Sequence, residues 1–365
     1  MAGQRAVVRR APGKLFVAGE YAVVEPGNQA ILVAVDRYIT VTVTEAGSAE
    51  ADVVIDSDLG SRAVRLRWRG GRLTGGDGRT PHVVSAVETV AELLTEHGLP
   101  VPPLSVSISS TLHENGRKYG LGSSGAVTVA TVDAVASYCG LRLTPEERFR
   151  LAMLATARLE PKGSGGDLAA GTWGGWIAYR APDRTRVLDL ARARGTAEAL
   201  RAPWPGFSVR RLPAPAGLSF QVGWTGSPAS TEALVSGLHR RNWRGSASHQ
   251  KFVATTADLV QAAVTALESG DGPALLHEIR RARQELARLD DEVGLGIFTP
   301  ALTALCDAAE AVGGAAKPSG AGGGDCGIAL LDDRAAHDIS QVRQRWATAG
   351  VLPLPLRPAP EGIEA

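Results

Sequence analysis

The first third of the chain alternates between patterns that predict strands and a pattern that predicts a helix. Residues 5–45 predict strands, with polar and apolar side chains alternating from Tyr38 to Thr44 as in a half-buried strand. Residues 82–96 carry apolar side chains at helical spacing, and Gly98 ends that pattern. Residues 103–112 alternate again, which predicts a further strand.

A capping signal and a clear helical pattern predict two helices in the rest of the chain. Thr144 is the expected N-cap of a helix, Pro145 fits its first position, and Glu147 completes a capping box. The second half opens with a predicted strand over 218–226, and residues 273–294 give its clearest helix. The pattern therefore mixes strands and helices throughout.

Proline and tryptophan cluster over residues 202–217, which is typical of a boundary between domains. We predict an N-terminal domain over residues 1–205 and a C-terminal domain over residues 206–365. A chain of 365 residues is long enough for two domains of ordinary size.

Composition and charge narrow the function classes. The net charge is +1, with 44% hydrophobic and 21% charged residues, so no global basic field attracts nucleic acid or a membrane. Three cysteines lie far apart, and the seven histidines show no metal-binding spacing, which disfavours disulfides and a transition-metal site. The N-terminal residues lack the apolar core of a signal peptide. We expect a soluble, cytoplasmic protein with a small-molecule substrate, and no nucleic-acid or membrane partner.

A glycine- and serine-rich turn precedes a small apolar helix at residues 118–140, whose only charged helical residue is Asp133. The lack of a charged face predicts a buried helix. The turn itself, Gly120–Ala126, suits phosphate, because glycines let backbone N–H groups approach an anion at a helix N-terminus. Lys118 and Arg117 stand next to the turn. The alternative is an ordinary serine N-cap after a flexible loop.

Three further positions carry candidate chemistry. Lys14 lies between Gly13 and an apolar strand, where it is either a site residue or a surface lysine. Asp167 opens a helix of small residues behind glycines, and a simple capping role is the alternative. Residues 317–327 hold five glycines, which favours close backbone approach to a ligand.

Together, "PGKLFVAGEYAVV", "GLGSSGAVTVA" and "KPSGAGGGDCGIAL" resemble the three motifs of the GHMP kinases, in the family's order and over nearly the whole chain. Details such as "GEYAVV", "GWTGSPAST" and "GGGDC" are similar to the phosphomevalonate kinases of actinobacterial mevalonate-pathway clusters. The resemblance implies an α+β fold, with an N-terminal domain like ribosomal protein S5, a ferredoxin-like C-terminal domain, and a site in the cleft between them.

The resemblance also implies site residues, with ATP and Mg²⁺ bound. The expected catalytic residues are Lys14, Lys118 and Asp167, and the expected metal ligand is Ser124. ATP would be bound by Gly120, Leu121, Gly122, Ser123, Ser124 and Gly125. Substrate would be bound by Glu20, Tyr21, Ser164, Lys317, Ser319, Gly320 and Gly322. Mevalonate kinases carry a magnesium-binding glutamate eleven residues before the aspartate, where this chain has Thr156.

The implied activity is transfer of the γ-phosphate of ATP to 5-phosphomevalonate. A phosphate acceptor is mostly dianionic at neutral pH and needs no general base, so Asp167 would orient Lys14. Lys14 and Lys118, helped by Lys317 and Arg117, would offset the repulsion between the two anions. Mevalonate kinase, another GHMP small-molecule kinase and a non-catalytic ligand sensor are the alternatives. The oligomeric state is left open, with a homodimer as the candidate.

Overall fold

Two large β-sheets organise the fold, one built mainly from the first half of the chain and the other from the second half. The computed structural model describes residues 6–47, 51–58, 60, 62–114, 116–228, 234 and 243–360. The strands are β1 (Val7–Ala18), β2 (Gln29–Glu45), β3 (Val53–Ser57), β4 (Val64–Arg69), β5 (Arg72–Thr74), β6 (Leu104–Ser110), β7 (His113–Glu114), β8 (Arg117–Lys118), β9 (Trp176–Arg180), β10 (Ser208–Leu212), β11 (Leu218–Trp224), β12 (Ala315–Pro318), β13 (Cys326–Asp332) and β14 (Leu352–Leu354).

Helices cover both sheets, and the α+β class expected from the sequence is confirmed. They are α1 (Pro81–Glu96), α2 (Ser123–Tyr138), α3 (Pro145–Leu159), α4 (Gly166–Trp173), α5 (Arg184–Arg194), α6 (Thr196–Arg201), α7 (Ala247–Ser269), α8 (Gly272–Val293), α9 (Pro300–Glu310) and α10 (Ala336–Thr348). A short 3₁₀ helix spans Ala22–Val24. Within the described residues, no helix combines the length and apolar character needed to cross a membrane.

The larger sheet has eight strands in the order β10-β9-β2-β6-β3-β4-β5, with β1 also paired to β2. The long strand β2 is its centre, because β1, β6 and β9 all pair with it. Strand β10 lies beyond residue 205 and nevertheless extends this sheet through β9. The domain division at 205/206 stays a prediction.

The smaller sheet is antiparallel, in the order β12-β13-β11-β14. If its four strands are numbered 1 to 4 in chain order, they lie in the order 2-3-1-4 across the sheet. This is the strand order of a ferredoxin-like domain. The glycine-rich segment between β12 and β13 lies at one end of this sheet. The sheet therefore presents the third glycine-rich motif as a hairpin connection.

Helix α2 is buried, as its composition predicts, and packs against β1, β2, α1 and α3. Its one charged residue, Asp133, is 7% exposed and forms ion pairs with Arg9 at 3.4 Å and Arg148 at 3.5 Å. Burial raises the pKa of Asp133, and the two arginines oppose that effect. The capping box of α3 is also confirmed, since Thr144 accepts the Glu147 N–H and the Glu147 side chain bonds to Thr144.

Helices α5 and α6 and the return of the C-terminal tail to the larger sheet were not predicted from the sequence. Helices α5 and α6 occupy residues 184–201, where charged side chains are frequent and few apolar positions mark a buried face. The C-terminal tail also returns to the larger sheet, because Pro358 bridges to Val35 and the Ala359 N–H donates to the Ala34 carbonyl at 2.8 Å. The pairing of β2 with β9 ends at Val33, and the tail pairs with the next residues of β2.

Candidate active site

The glycine- and serine-rich turn forms the N-terminus of α2. Gly120 and Gly122 both adopt positive φ angles, 77° and 76°, and Gly122 is the N-cap. The serine N-cap alternative is therefore wrong, because Ser123 and Ser124 are the first residues of the helix itself. Such a turn presents the first backbone N–H groups of the helix as an anion-binding surface.

Lys14 lies directly against this turn. Its backbone N–H donates to the Leu121 carbonyl at 2.8 Å, which joins β1 to the turn. A Cβ built on Gly122 would lie 3.0 Å from Lys14 Cε and 3.2 Å from Asp167 Cβ. Lys14 is half-buried, so the surface-lysine alternative does not describe it. Glycine at position 122 lets the lysine and the aspartate share one small space.

Asp167 lies in the first turn of α4, whose N-cap is Gly165. Its Oδ1 accepts the N–H of the next residue, Leu168, at 3.0 Å. A Cβ on Gly125 would overlap the Asp167 carboxylate, so the N-termini of α2 and α4 meet at this side chain. The structure thus brings Asp167 to the site, beyond a role in its own helix.

The third glycine-rich motif also contacts Lys14 and the turn. Gly320 faces the ammonium of Lys14, since a Cβ built there would lie 3.9 Å from Lys14 Nζ. A Cβ on Gly120 would overlap the Asp325 carboxylate, so the end of this motif packs on the start of the turn. The three motifs and the loop before α4 therefore converge at one place, although they are far apart in sequence.

Glu20 and Lys317 form a buried ion pair between the first and third motifs. Lys317 is 0% exposed, and its ammonium donates to a Glu20 carboxylate oxygen and to the Pro318 carbonyl, the latter at 2.7 Å. The same Glu20 oxygen accepts the Gly320 N–H at 3.3 Å. The resemblance implies that Lys317 helps the cations that face the phosphates, whereas its charge is directed at Glu20.

Two more contacts join these motifs. The Ser319 hydroxyl accepts the Phe16 N–H at 2.8 Å and donates to the Phe16 carbonyl at 3.0 Å. The Tyr21 hydroxyl donates to the Ala321 carbonyl at 2.5 Å, and burial is the main cause that raises the pKa of Tyr21. Several residues predicted to bind substrate thus build the wall of the site through contacts with one another.

Ser164 and Gly322 are also held by neighbours. The Ser164 hydroxyl accepts the Gly166 N–H at 3.2 Å, and its carbonyl accepts the Tyr179 hydroxyl at 2.7 Å. Gly322, with φ of 73°, packs so closely on Ile297 that a side chain would clash. The substrate-binding roles of all seven residues stay predictions.

Lys118 and Arg117 lie on the short β7–β8 hairpin just before the turn, and both are exposed. Tyr119 follows them and is buried against Trp224, with ring centroids 5.1 Å apart. Burial, followed by a hydrogen bond to Glu114, raises the pKa of Tyr119 to about 12. The buried tyrosine anchors the hairpin, and its two cations are exposed next to the turn.

Arg184 supports the loop that leads to Asp167 and was not predicted from the sequence. Its buried guanidinium donates to the Glu160 carbonyl at 2.6 Å and lies close to Gly163, under the loop that leads to Asp167. Burial lowers its pKa. No local pattern marks this arginine, because its partners lie more than twenty residues away in α3 and the following loop.

A separate cavity of about 790 Å³ lies between α1, α3, α5 and the β4–β5 hairpin. Its lining includes two ion pairs, Arg72–Glu88 and Arg158–Glu92, and none of the predicted site residues. The convergence of the three motifs with the loop before α4, rather than this cavity, locates the candidate site, because the lining of the cavity contains no lysine.

Comparisons with known proteins match both halves of the chain. Residues 82–175 match the GHMP kinases N terminal domain, and residues 263–348 match the GHMP kinases C terminal family. The chain is 73% identical to phosphomevalonate kinase from Streptomyces sp. (strain CL190), over 99% of each chain. It superposes on the Lin0012 protein from Listeria innocua with a TM-score of 0.90 and 33% identity, covering 99% of each chain. For Streptococcus pneumoniae phosphomevalonate kinase in complex with phosphomevalonate and AMPPNP, the TM-score is 0.86 and the identity 29%, covering 96% of this chain and 99% of that one.

Proposed function

The chain belongs to the GHMP kinase family, and from this premise we propose that it transfers the γ-phosphoryl group of ATP to 5-phosphomevalonate. The products are 5-diphosphomevalonate and ADP. The observation that carries the proposal is the identity of 73% to a phosphomevalonate kinase over essentially the full length of both proteins. The packing of Lys14, Asp167 and the turn at one place is what such a transfer requires.

The chemistry of the acceptor decides what the site has to supply. The second pKa of a phosphomonoester is about 6, so the acceptor is mostly dianionic at neutral pH and attacks without losing a proton. Its phosphate oxygen forms a bond to the γ-phosphorus, and the bond from that phosphorus to the oxygen bridging to the β-phosphate breaks, which releases ADP. At about 4 Å, two unit charges at an effective dielectric constant near 20 repel by roughly 4 kcal/mol. Cations must offset this repulsion.

Lys14 is the cation best placed for that task. It is half-buried between Gly122 of the turn and Gly320 of the third motif, so it can contact both anions. Asp167 shares the space beside Gly122 and orients the lysine in this proposal. Lys118 and Arg117 add charge from the exposed hairpin. Lys317 does not take part directly, because Glu20 neutralises it.

The ATP phosphates would lie along residues 120–125, where the glycines leave the backbone N–H groups of the α2 N-terminus accessible. Mg²⁺ fits the donors there, since the Ser124 hydroxyl and the nearby Asp167 carboxylate suit an ion that is bound mainly by phosphates and water. Ser124 would hold it, and the ion neutralises phosphate charge when bound. Thr156, where mevalonate kinases have a glutamate, is buried in α3 and offers no carboxylate.

The deciding experiment measures ADP release by the purified protein with ATP and Mg²⁺, comparing 5-phosphomevalonate with mevalonate. We expect turnover with the phosphorylated acceptor and at least a hundredfold lower kcat/KM with the alcohol, because a site built around cations loses its charged partner. A preference for mevalonate would assign the chain to the alcohol kinases. No turnover with either acceptor, despite ATP binding, would support the sensor alternative.

Replacing Lys118 with alanine should lower kcat about tenfold and change ATP affinity little, because its charge matters most when charge develops in the transition state. The effect is modest because the side chain is exposed and its charge is screened. Steady-state kinetics and nucleotide titration provide the measurement, and Lys251→Ala, an exposed lysine on α7, is the matched control. Equal losses in kcat and in ATP affinity would contradict this role.

The oligomeric state, with a homodimer as the candidate, stays open, and the cytoplasmic location expected from the sequence stays a prediction. Light scattering of the purified protein tests the first, and fractionation of cells that express it tests the second.

A further inference from the structure

The Glu20–Lys317 pair has a feature that its burial alone does not explain. Its two residues are 297 positions apart, and they connect the end of β1 with the strand that leads into the third glycine-rich motif. A buried ion pair is costly to desolvate and contributes little to stability when compared with apolar groups of the same shape. Its presence at the site therefore calls for a role beyond stability.

The carboxylate of Glu20 is what links the pair to the site. The oxygen that meets Lys317 also accepts the Gly320 N–H, so one atom fixes both the buried lysine and the first glycine of the loop. Gly320 in turn faces the ammonium of Lys14. Gly320 has a φ of 85°. Because glycine adopts many backbone conformations with similar ease, a fixed hydrogen-bond partner is needed to hold this one.

We propose that Glu20 is a positioning residue, which holds the loop of residues 319–322 in place for the phosphorylated acceptor while Lys317 neutralises its charge. This inference rests on the proposed function for the identity of the acceptor. Without Lys317, a carboxylate would stand uncompensated beside a site that must attract a dianion. Without Glu20, the Gly320 amide would lose its acceptor and the loop its fixed distance from Lys14.

The test compares two double variants, because removing one member of a buried pair can unfold the protein. Glu20→Gln with Lys317→Met is uncharged and keeps an oxygen for the Gly320 N–H. Glu20→Leu with Lys317→Met is uncharged and has no such acceptor. If the pair only supported the fold, both variants would behave alike at equal melting temperature.

We expect the leucine variant to raise KM for the acceptor about tenfold and to speed amide hydrogen exchange in residues 319–322 by a similar factor. The glutamine variant should raise KM for the acceptor and the exchange rate at least about threefold less than the leucine variant does, and KM for ATP should change little in either.

A matched control is the Arg72–Glu88 pair, in which a carboxylate also joins a cation and a backbone amide, that of Leu73 at 2.7 Å. Arg72→Met with Glu88→Leu should leave exchange in residues 319–322 unchanged. Equal exchange and equal acceptor KM in the two Glu20 variants would overturn the proposal. Because the exchange measurement needs no substrate, it tests the positioning role even if 5-phosphomevalonate is not the acceptor.

Discussion

Replacing Lys14 with methionine is expected to lower kcat about a thousandfold, the upper range for losing one preorganised group that stabilises transition-state charge. Methionine fills a similar volume in the half-buried space beside Gly122 but carries no charge. The lysine lies between the turn and the third motif, so both anions lose their shared cation. Nucleotide affinity should fall much less, because the amides of the turn remain. Single-turnover kinetics with saturating substrates measures the effect.

The melting temperature of Lys14→Met serves as the control, since an unchanged value excludes unfolding as the cause of the lost activity. Lys14→Arg is the informative companion. A planar guanidinium is larger than an ammonium and would have to pass Gly122, where a Cβ alone would come within 3.0 Å of the lysine side chain. We therefore expect arginine to restore little activity. A loss of kcat of less than tenfold in Lys14→Met would mean that another cation stabilises the negative charge of the transferred phosphoryl group.

Replacing Asp167 with asparagine is expected to lower kcat about a hundredfold, because the neutral side chain no longer holds the Lys14 ammonium in place. Asparagine preserves the size of the side chain and can still accept the Leu168 N–H. The structural cost should therefore be small. Steady-state kinetics at saturating Mg²⁺ gives the loss, and KM for both substrates should change by less than the loss in kcat.

The pH dependence of this variant separates orientation from base catalysis. A general base acts only when deprotonated, so its reaction rate falls as the pH drops through its pKa. A phosphate acceptor produces its own fall near pH 6, where it gains a proton. If Asp167 orients Lys14, the fall near pH 6 belongs to the acceptor and persists in Asp167→Asn. Loss in the variant of a second acid-side ionisation, separate from the acceptor's own fall near pH 6, would identify Asp167 as the base.

The sequence predicts those parts of the site whose signals are local. The turn before α2 is recognisable in the sequence from its glycines and from the helix without a charged face that follows, and both features are confirmed. The proximity of Lys14 and Asp167 was expected only through the resemblance to a family, because 153 positions separate them in the chain. Close packing on Gly122 provides the physical reason for that proximity.

The parts that the sequence could not reveal depend on long-range pairing. Lys317 resembles a free cation when only its neighbours in the chain are considered, and nothing near it indicates Glu20 as its partner. Arg184 similarly has no periodicity or motif, although its guanidinium supports the loop before α4. Buried charges are satisfied by whatever the fold places beside them, so their roles become visible only in three dimensions.

The return of the C-terminal tail to β2 bears on how the chain acquires its structure during synthesis. The first half of the protein cannot complete the hydrogen bonding of its central strand around Ala34 until residues 358–359 have been made. Ribosome-bound fragments should therefore leave that edge exposed, and their first half should be easier to digest with protease than the released protein. Synthesis of residues 358–359, and not only domain-by-domain folding, would then set the moment at which the N-terminal sheet becomes fully protected.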